Sequence, residues 1–507
     1  MESPNILLIV MDAVRTRNMS IYGYEKETTP MLKRILPSCT FYENAFSSSY
    51  WTLPSYASTF TGTHVSRHSL EVDGDVLDDR FITIAEMLRA NGYRTIGLCP
   101  SPYISSFSGL DRGFDVLRNP ASESIRSRLY GLLNKVLLRR KLLGTKDAAE
   151  KTLWKQPSFL DTELTRPHAF EVFNRMHISK RILWSLAGLF DKYAKATNDL
   201  TFQLIDEVKE GPFFFFIHYT ETHTPYVLPR SFRKKFLTSM EKKPWDVNQD
   251  YFRYYSGEAR MGDSDFEVLR ALYDAAISYL DTRIFEIYSF LEKKGLLDNT
   301  MLVITSDHGD NFGEHGIFFH IFSLYDTLIK VPLIIKYPAS LGLSGIENRV
   351  VQNTDLLPTI MDLLGLRNKK LLDQIQGNSL ISSRIRNRDS SYAISELVKP
   401  FGPRMQPLRE KLKKYDRQLI SIRTESKKYI YASDGNHEFY DLHEDPNETK
   451  NLVVSNDPAI AELREKLKPW LIPFNDCCRK VQWKITHEKA EAFEPEIQER
   501  LRSLGYL

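Results

Sequence analysis

Cysteine is scarce in this chain: four occur in 507 residues, at Cys39, Cys99, Cys477 and Cys478. Two are adjacent and none falls in a metal-binding spacing, which argues against a disulfide framework and against a cysteine–zinc site. Charge of one sign is missing too. The 68 Lys and Arg nearly cancel the 65 Asp and Glu, leaving +3, so no nucleic-acid partner is expected. The opening "MESPNILLIVMDAVR" carries an acid and no basic leader region, and its apolar run is too short for a membrane span or a signal peptide. A cytoplasmic, reducing-compartment protein is therefore expected. Internal repeats and low-complexity tracts are absent. What remains is ordinary globular composition, 42% hydrophobic and 26% charged, in a chain long enough for two structural units.

The hydrophobic pattern gives those units a character. "NILLIVMD" (5–12) is a short apolar run ending in an acid, the mark of a buried parallel strand. "ITIAEMLRANGYRTIGLC" reads as helix, Asn-Gly stop and strand, and "PFFFFIHYTETHTPY" as a strand with His218 and His223 at its end. A long amphipathic helix then leads into a strand ending at Asp307, and "KVPLIIKYP" follows as a fifth. Strands alternating with helices predict an α/β fold with a doubly wound, mostly parallel central sheet. After about residue 375 the pattern changes to short alternating strands, "SYAISELV", "RQLISIRTE", "KKYIYASD" and "HEFYDL", closed by a helix over 457–471. This predicts a catalytic α/β unit over 1–375 and a smaller antiparallel α+β subdomain over 376–507. A helical insertion is expected at about 120–195. Within it, residues 126–146 hold seven basic residues and no acid, which fits either a helix packed on the rim or a peripheral contact with anionic membrane.

In open α/β sheets, ligands bind beyond the carboxyl ends of the strands. Asp12, the pair His218 and His223, and Asp307-His308 all fall at such ends, and Thr52 stands where "SSSYWTLPSYASTFTG" tips from loop into helix. Asp12, Asp307 and His308, completed by the Thr52 oxygen, can hold one divalent cation (Ca, Mg or Mn). Metal contact would make the Thr52 hydroxyl a usable nucleophile near neutral pH. His218, His223 and His315 could hold the oxygens of a tetrahedral anion or protonate its leaving group. Singly, each of these residues reads equally well as a cap, a turn or a satisfied core histidine. Their grouping at matching strand ends carries the functional reading.

The motifs resemble the sulfatase branch of the alkaline-phosphatase superfamily, in order and along nearly the whole chain. "NILLIVMDAVR" matches the opening strand and metal carboxylate, and "TLPSYASTFTG" matches the nucleophile motif. "HYTETHTPY" matches the histidine-Pro loop, "TSDHGDNFGEHG" the second metal segment and "SLYDTLIKVPLIIKYP" the strand after it. "VQNTDLLPTIMDLLG" and "FYDLHEDPNETKNL" match the end of the core and the C-terminal subdomain. The resemblance implies His223 and His315 as anion ligands. His218 stands as a second-rank candidate, as does His320, which aligns approximately with a family Lys. Three departures stand out. The family's Cys or Ser nucleophile, which is oxidised to formylglycine, is Thr52 here. The Arg of that motif is Tyr56, and the usual pair of acids after the first strand is Asp12-Ala13.

A secondary alcohol cannot become the formylglycine aldehyde, so no formylglycine is expected. Thr at this place resembles lipoteichoic acid synthases and phosphoethanolamine transferases, which pass through phospho-threonine, and the Asp-His segment is shared with phosphonate monoester hydrolases. No segment matches the extra Asp-x-x-x-His of two-zinc relatives, so one metal is expected. The resemblance therefore implies a metal-dependent hydrolase of sulfate or phosphate-type esters, small or linked to glycan or lipid. A phospho-group transferase and a catalytically impaired binding protein on the same fold are the alternatives.

Overall fold

A computed structural model describes residues 3–71, 75–123, 191–238, 240–382 and 392–480. The basic stretch 126–146, and most of the insertion expected at about 120–195, lie outside the described residues. No helix among those described is long and apolar enough to cross a membrane.

Eight strands form the central sheet: β1 (Asn5–Met11), β2 (Thr40–Phe46), β3 (Arg94–Leu98), β4 (Val116–Arg118), β5 (Phe213–Tyr219), β6 (Thr300–Thr305), β7 (Leu333–Lys336) and β8 (Gly345–Gln352), in the order β4-β3-β5-β1-β6-β7-β2-β8. The run from β4 to β6 is parallel throughout, β7 is antiparallel to both its neighbours, and β2 pairs parallel with β8. The reversal at β7 has a simple cause. Residues 306–332 carry the Asp-His segment and stay at the carboxyl edge where β6 ended, so the next strand must run back. Sequence periodicity points to five of these strands and passes over three. β4 has only three residues, β8 is charged and largely exposed over its first half, and β2 ("TFYENAF") breaks its own pattern with Glu43.

The central strands are apolar on both faces because both faces are covered. Leu7, Ile9 and Met11 of β1, with Phe213, Phe215 and Ile217 of β5, pack into one layer that includes the helices Ala194–Val208 and Asp263–Lys293. Ile6, Leu8, Val10, Phe214 and Phe216 point the other way, toward the helices Thr52–Thr61, Ile84–Ala90 and Leu356–Leu363. A helix–sheet–helix sandwich results. The helix Ile84–Ala90 shows how local chemistry sets its ends. Thr83 and Glu86 form a reciprocal capping box, and Gly92 at φ 83° turns the chain into β3.

All four strands expected near the C-terminus form: β9 (Ala393–Leu397), β10 (Leu419–Arg423), β11 (Lys427–Ala432) and β12 (Glu438–Asp441) make an antiparallel sheet in the order β12-β11-β10-β9. The helix Pro458–Lys480 packs on it through Leu463, Leu467 and Phe474. An ion cluster ties this sheet to the segment after the Asp-His loop. Lys428, with no exposed surface, reaches Asp326 at 2.9 Å and Glu448 at 2.7 Å, and Arg423 meets Asp326 at 3.1 Å. Removing the Lys428 ammonium would leave the Glu448 carboxylate buried without its cation and Asp326 with Arg423 alone. Lys428→Met should therefore cost about 3–5 kcal/mol, read as a lower urea midpoint.

Candidate active site

The parallel strands deliver their polar ends to one edge. Val10 pairs with His218 on one side and with Thr305 on the other, so Asp12, the 218–223 segment and Asp307-His308 emerge side by side. β2 runs in the same direction, and five residues after it (Ser47–Trp51) the helix Thr52–Thr61 begins at the same edge. Thr52 is its first residue, at the partially positive helix end, with Pro54 in the first turn where its missing N–H costs little.

Three residues meet closely enough to share an ion: one ligand atom each from Asp12, Asp307 and His308 lies within 4.8 Å of the others. The His308 Nε2 is 3.6 Å from Asp12 Oδ1, 3.6 Å from Asp307 Oδ2 and 3.2 Å from Thr52 Oγ1. His308 Nδ1 lies 2.8 Å from the Gly309 carbonyl, which can only accept. Nδ1 therefore carries the proton and Nε2 presents a lone pair to the cluster. The scaffold is tightly tied. Ser306 Oγ bridges the Met11 and His308 carbonyls and accepts from the Val14 amide, and Thr222 donates to the Asp12 carbonyl. Ala13 adopts φ 60°, and its N–H donates to Asp307 Oδ1 at 3.1 Å. Ala13 thus serves the site through its backbone.

The donor set fits a divalent cation. Asp12 Oδ1 and Asp307 Oδ2 are buried without a hydrogen-bond partner among the described residues, an arrangement that is costly unless a cation completes it. Burial, and then the neighbouring Asp12, push the Asp307 carboxyl above its ordinary range despite His308. Burial acts the same way on Asp12, but the histidines His223, His218 and His308 outweigh it and hold that carboxyl below its range.

Of the other histidines, His223 and His320 come together. Their ring centroids are 5.1 Å apart, and the His320 ring is 4.4 Å from that of His308. His223 Nδ1 donates to the Thr224 carbonyl at 2.6 Å, and burial drives its pKa down to about 4 against the opposing pull of Asp12. Burial, with His308 and His223 beside it, puts His320 well below the ordinary histidine value. His320 is thus better placed than its ambiguous position in the sequence indicates. His218 stands behind Asp12, its Nε2 3.3 Å from Oδ2.

His315 corrects the expectation drawn from "GEHG". Its ring stacks on Tyr325 at 3.7 Å, beside Lys428 and Glu438, and none of its described contacts reaches the Asp12–His308 cluster. The reason is the turn. Gly313, His315 and Gly316 all have positive φ, and Glu314 is held by Arg15 at 2.9 Å, which swings the imidazole toward the C-terminal sheet.

Several supporting residues escape sequence reasoning. Lys192 Nζ donates to the carbonyls of Thr220 and His223 at 3.1 Å each, and Tyr273 donates to the Ala13 carbonyl while accepting from the Arg15 amide. Arg15 lies within a segment the motifs single out. Tyr273 lies mid-helix and Lys192 beside the insertion, with no local pattern to flag either.

The family model "Sulfatase" matches residues 4–366. The chain belongs to the sulfatase family. A second model, "N-sulphoglucosamine sulphohydrolase, C-terminal", matches residues 313–475 of this sulfatase-family chain. Arylsulfatase K of Bos taurus is 23% identical over 92% of this chain and 81% of its own. N-acetylglucosamine-6-O-sulfatase of Bacteroides thetaiotaomicron is 24% identical over 89% and 82%. Among solved structures, a phosphonate monoester hydrolase of Agrobacterium radiobacter superposes with TM-score 0.66 at 20% identity, covering 94% of this chain and 96% of that one. The family is one of ester hydrolases that share the α/β sheet and the small antiparallel sheet found here.

Proposed function

We propose that this chain is a metal-dependent hydrolase of sulfate or phosphate-type esters in which Thr52 is the covalent nucleophile. One observation carries the reading: Thr52 Oγ1 lies 3.2 Å from His308 Nε2, in a cluster where Asp12 Oδ1 and Asp307 Oδ2 have no hydrogen-bond partner among the described residues. Asp12, Asp307 and His308 would hold the cation, with Thr52 beside it. A divalent cation bound there would acidify the Thr52 hydroxyl and neutralise charge growing on the transferred group.

The chain's own residues supply the rest. The Thr52 hydroxyl gives up its proton to solvent water, and its Oγ bonds to phosphorus or sulfur as the bond to the leaving oxygen breaks. The first turn of its helix stabilises negative charge on the transferred group. His223 and His320 are neutral in the substrate-free site, and an approaching anion favours their protonated forms. They then hold the anion's oxygens and return a proton to the leaving group. Water attacks the Thr52 adduct in line and releases the acid. A phospho-threonine is open to that attack, whereas a sulfo-threonine lacks the elimination route that a formylglycine hydrate provides. The nucleophile therefore favours phosphate or phosphonate esters within the class.

A panel of aryl sulfate, aryl phosphate, phosphodiester and phosphonate esters, with a sugar 6-O-sulfate beside them, tests the substrate class. Turnover of the phosphate-type esters above the sulfates is expected, and sulfate as the sole substrate would contradict the preference. His223→Ala and His320→Ala should each lower kcat by about 10²–10⁴-fold with metal content unchanged, as loss of a proton-transfer group does. His315→Ala should cost far less. Metal analysis beside steady-state kinetics checks all three, and loss of metal in His223→Ala would move that residue among the ligands.

A further inference from the structure

We infer that Cys99 is a positioning residue for the metal centre, acting through His218 to fix which oxygen of Asp12 faces the cation. This inference rests on the reading of Asp12 as a cation ligand. It starts from the sheet. β3, β5 and β1 are adjacent and parallel, with Leu98 paired to Ile217 and His218 to Val10. One step beyond Leu98, Cys99 stands level with His218, and Asp12 lies two residues past Val10, the partner of His218 on β1. Residues two apart share a face. His218 continues the face of Phe214 and Phe216, and Asp12 that of Leu8 and Val10, which is the face covered by the Thr52 helix.

The contacts follow this placement. Cys99 Sγ is 3.2 Å from His218 Nδ1, and His218 Nε2 is 3.3 Å from Asp12 Oδ2. His218 Nε2 makes no aligned hydrogen bond among the described residues, and the group it faces at 3.3 Å is a carboxylate oxygen, which only accepts, so a proton on Nε2 is the form this approach favours. Nδ1 is left to Cys99, which is its described partner. Both residues are sealed off. His218 has no exposed surface and Cys99 is buried, and the rings of Tyr56 and Phe216 pack against the imidazole at 5.4 and 6.5 Å. With Oδ2 turned to His218, the free Oδ1 is the oxygen that points at His308, on the side of Asp307 and Thr52.

This arrangement suits a site with few charged ligands. Asp12 and Asp307 are the two carboxylates the described cluster offers to a 2+ ion. A ligand set this small gains from holding each carboxylate in one orientation. Partners that orient metal ligands in this way typically change affinity by about 10–100-fold when removed.

The test uses the intact chain and manganese(II) as probe. Calorimetric titration should show Cys99→Ala binding manganese about tenfold or more weakly than wild type. Cys99→Ser, which can still pair with Nδ1, should recover most of the loss. His218→Ala should weaken binding at least as much, and Cys99→Ala added to it should cost nothing further, because Cys99 acts only through the imidazole. Equal affinity in Cys99→Ala, or additive losses in the double variant, would overturn the inference. Thermal unfolding without metal identifies any variant that fails to fold. A second readout needs no metal. Nitrogen NMR of 15N-histidine-labelled protein should show one His218 form protonated at Nε2 in wild type and Cys99→Ser, and a mixture in Cys99→Ala. An unchanged spectrum in Cys99→Ala refutes the role of Cys99. A wild type that binds no manganese refutes the metal reading instead.

Discussion

Thr52→Ala should lose turnover by several orders of magnitude, on the scale of nucleophile removal in other covalent hydrolases, while keeping its divalent metal. Three features converge on that oxygen. Thr52 opens a helix and so sits at the positive end of its dipole. Its hydroxyl faces the lone-pair nitrogen of His308 at 3.2 Å. It is also buried, so its interactions are not diluted by bulk water. Thr52→Ser keeps the hydroxyl and loses only the methyl group, so part of the activity should survive. Steady-state kinetics on the best ester of the panel, with metal analysis of each variant, reads the result. A Thr52→Ala enzyme as fast as wild type would end the covalent mechanism.

Removal of either carboxylate should be as severe, through a different loss. Asp12→Asn and Asp307→Asn each replace half of the negative charge facing the cation with a neutral amide. Metal content should fall far below one equivalent, and activity with it. Chelation of the wild type should do the same, and added divalent cation should restore it. The stability change is expected to run the other way. In the metal-free protein, Asp307 is pushed upward by burial and by Asp12. A group whose folded pKa is raised destabilises the fold once pH exceeds its unfolded value. Asp307→Asn should therefore melt at or above the metal-free wild type near neutral pH, and below the metal-loaded wild type. Calorimetric melts with and without chelator separate the two effects. An Asp307→Asn protein that holds metal like wild type would remove that residue from the ligand set.

Much of this site is legible in the sequence because strand ends are. A continuous apolar run such as Ile6–Met11 announces a strand buried on both faces, and an acid directly after it has one place to go. The same holds for Thr300–Thr305 with Asp307-His308, and the C-terminal strands are legible from their alternation, although the sheet they form is buried on both faces. Legibility fails where the backbone leaves regular geometry. His315 and His320 are five residues apart in one irregular segment, and the left-handed φ of His315 and Phe319 decides which imidazole reaches His308. Tyr273 and Lys192 fail for another reason: their partners, Ala13 and His223, lie far off in the chain, and only the tertiary fold joins them. Cys99 is an intermediate case. Its place at a strand end is visible in "TIGLC", yet the imidazole it meets belongs to β5, which folding alone makes the neighbour of β3.

The central claim is that Thr52 becomes covalently bonded to the group being transferred. Mass spectrometry of enzyme quenched during turnover tests it directly, using the proteolytic peptide that contains "WTLPS". One added phosphoryl or sulfuryl group is expected on Thr52 in wild type, and none in Thr52→Ala. A substrate-derived adduct on any other residue, or full turnover with no adduct on that peptide at any quench time, would contradict it.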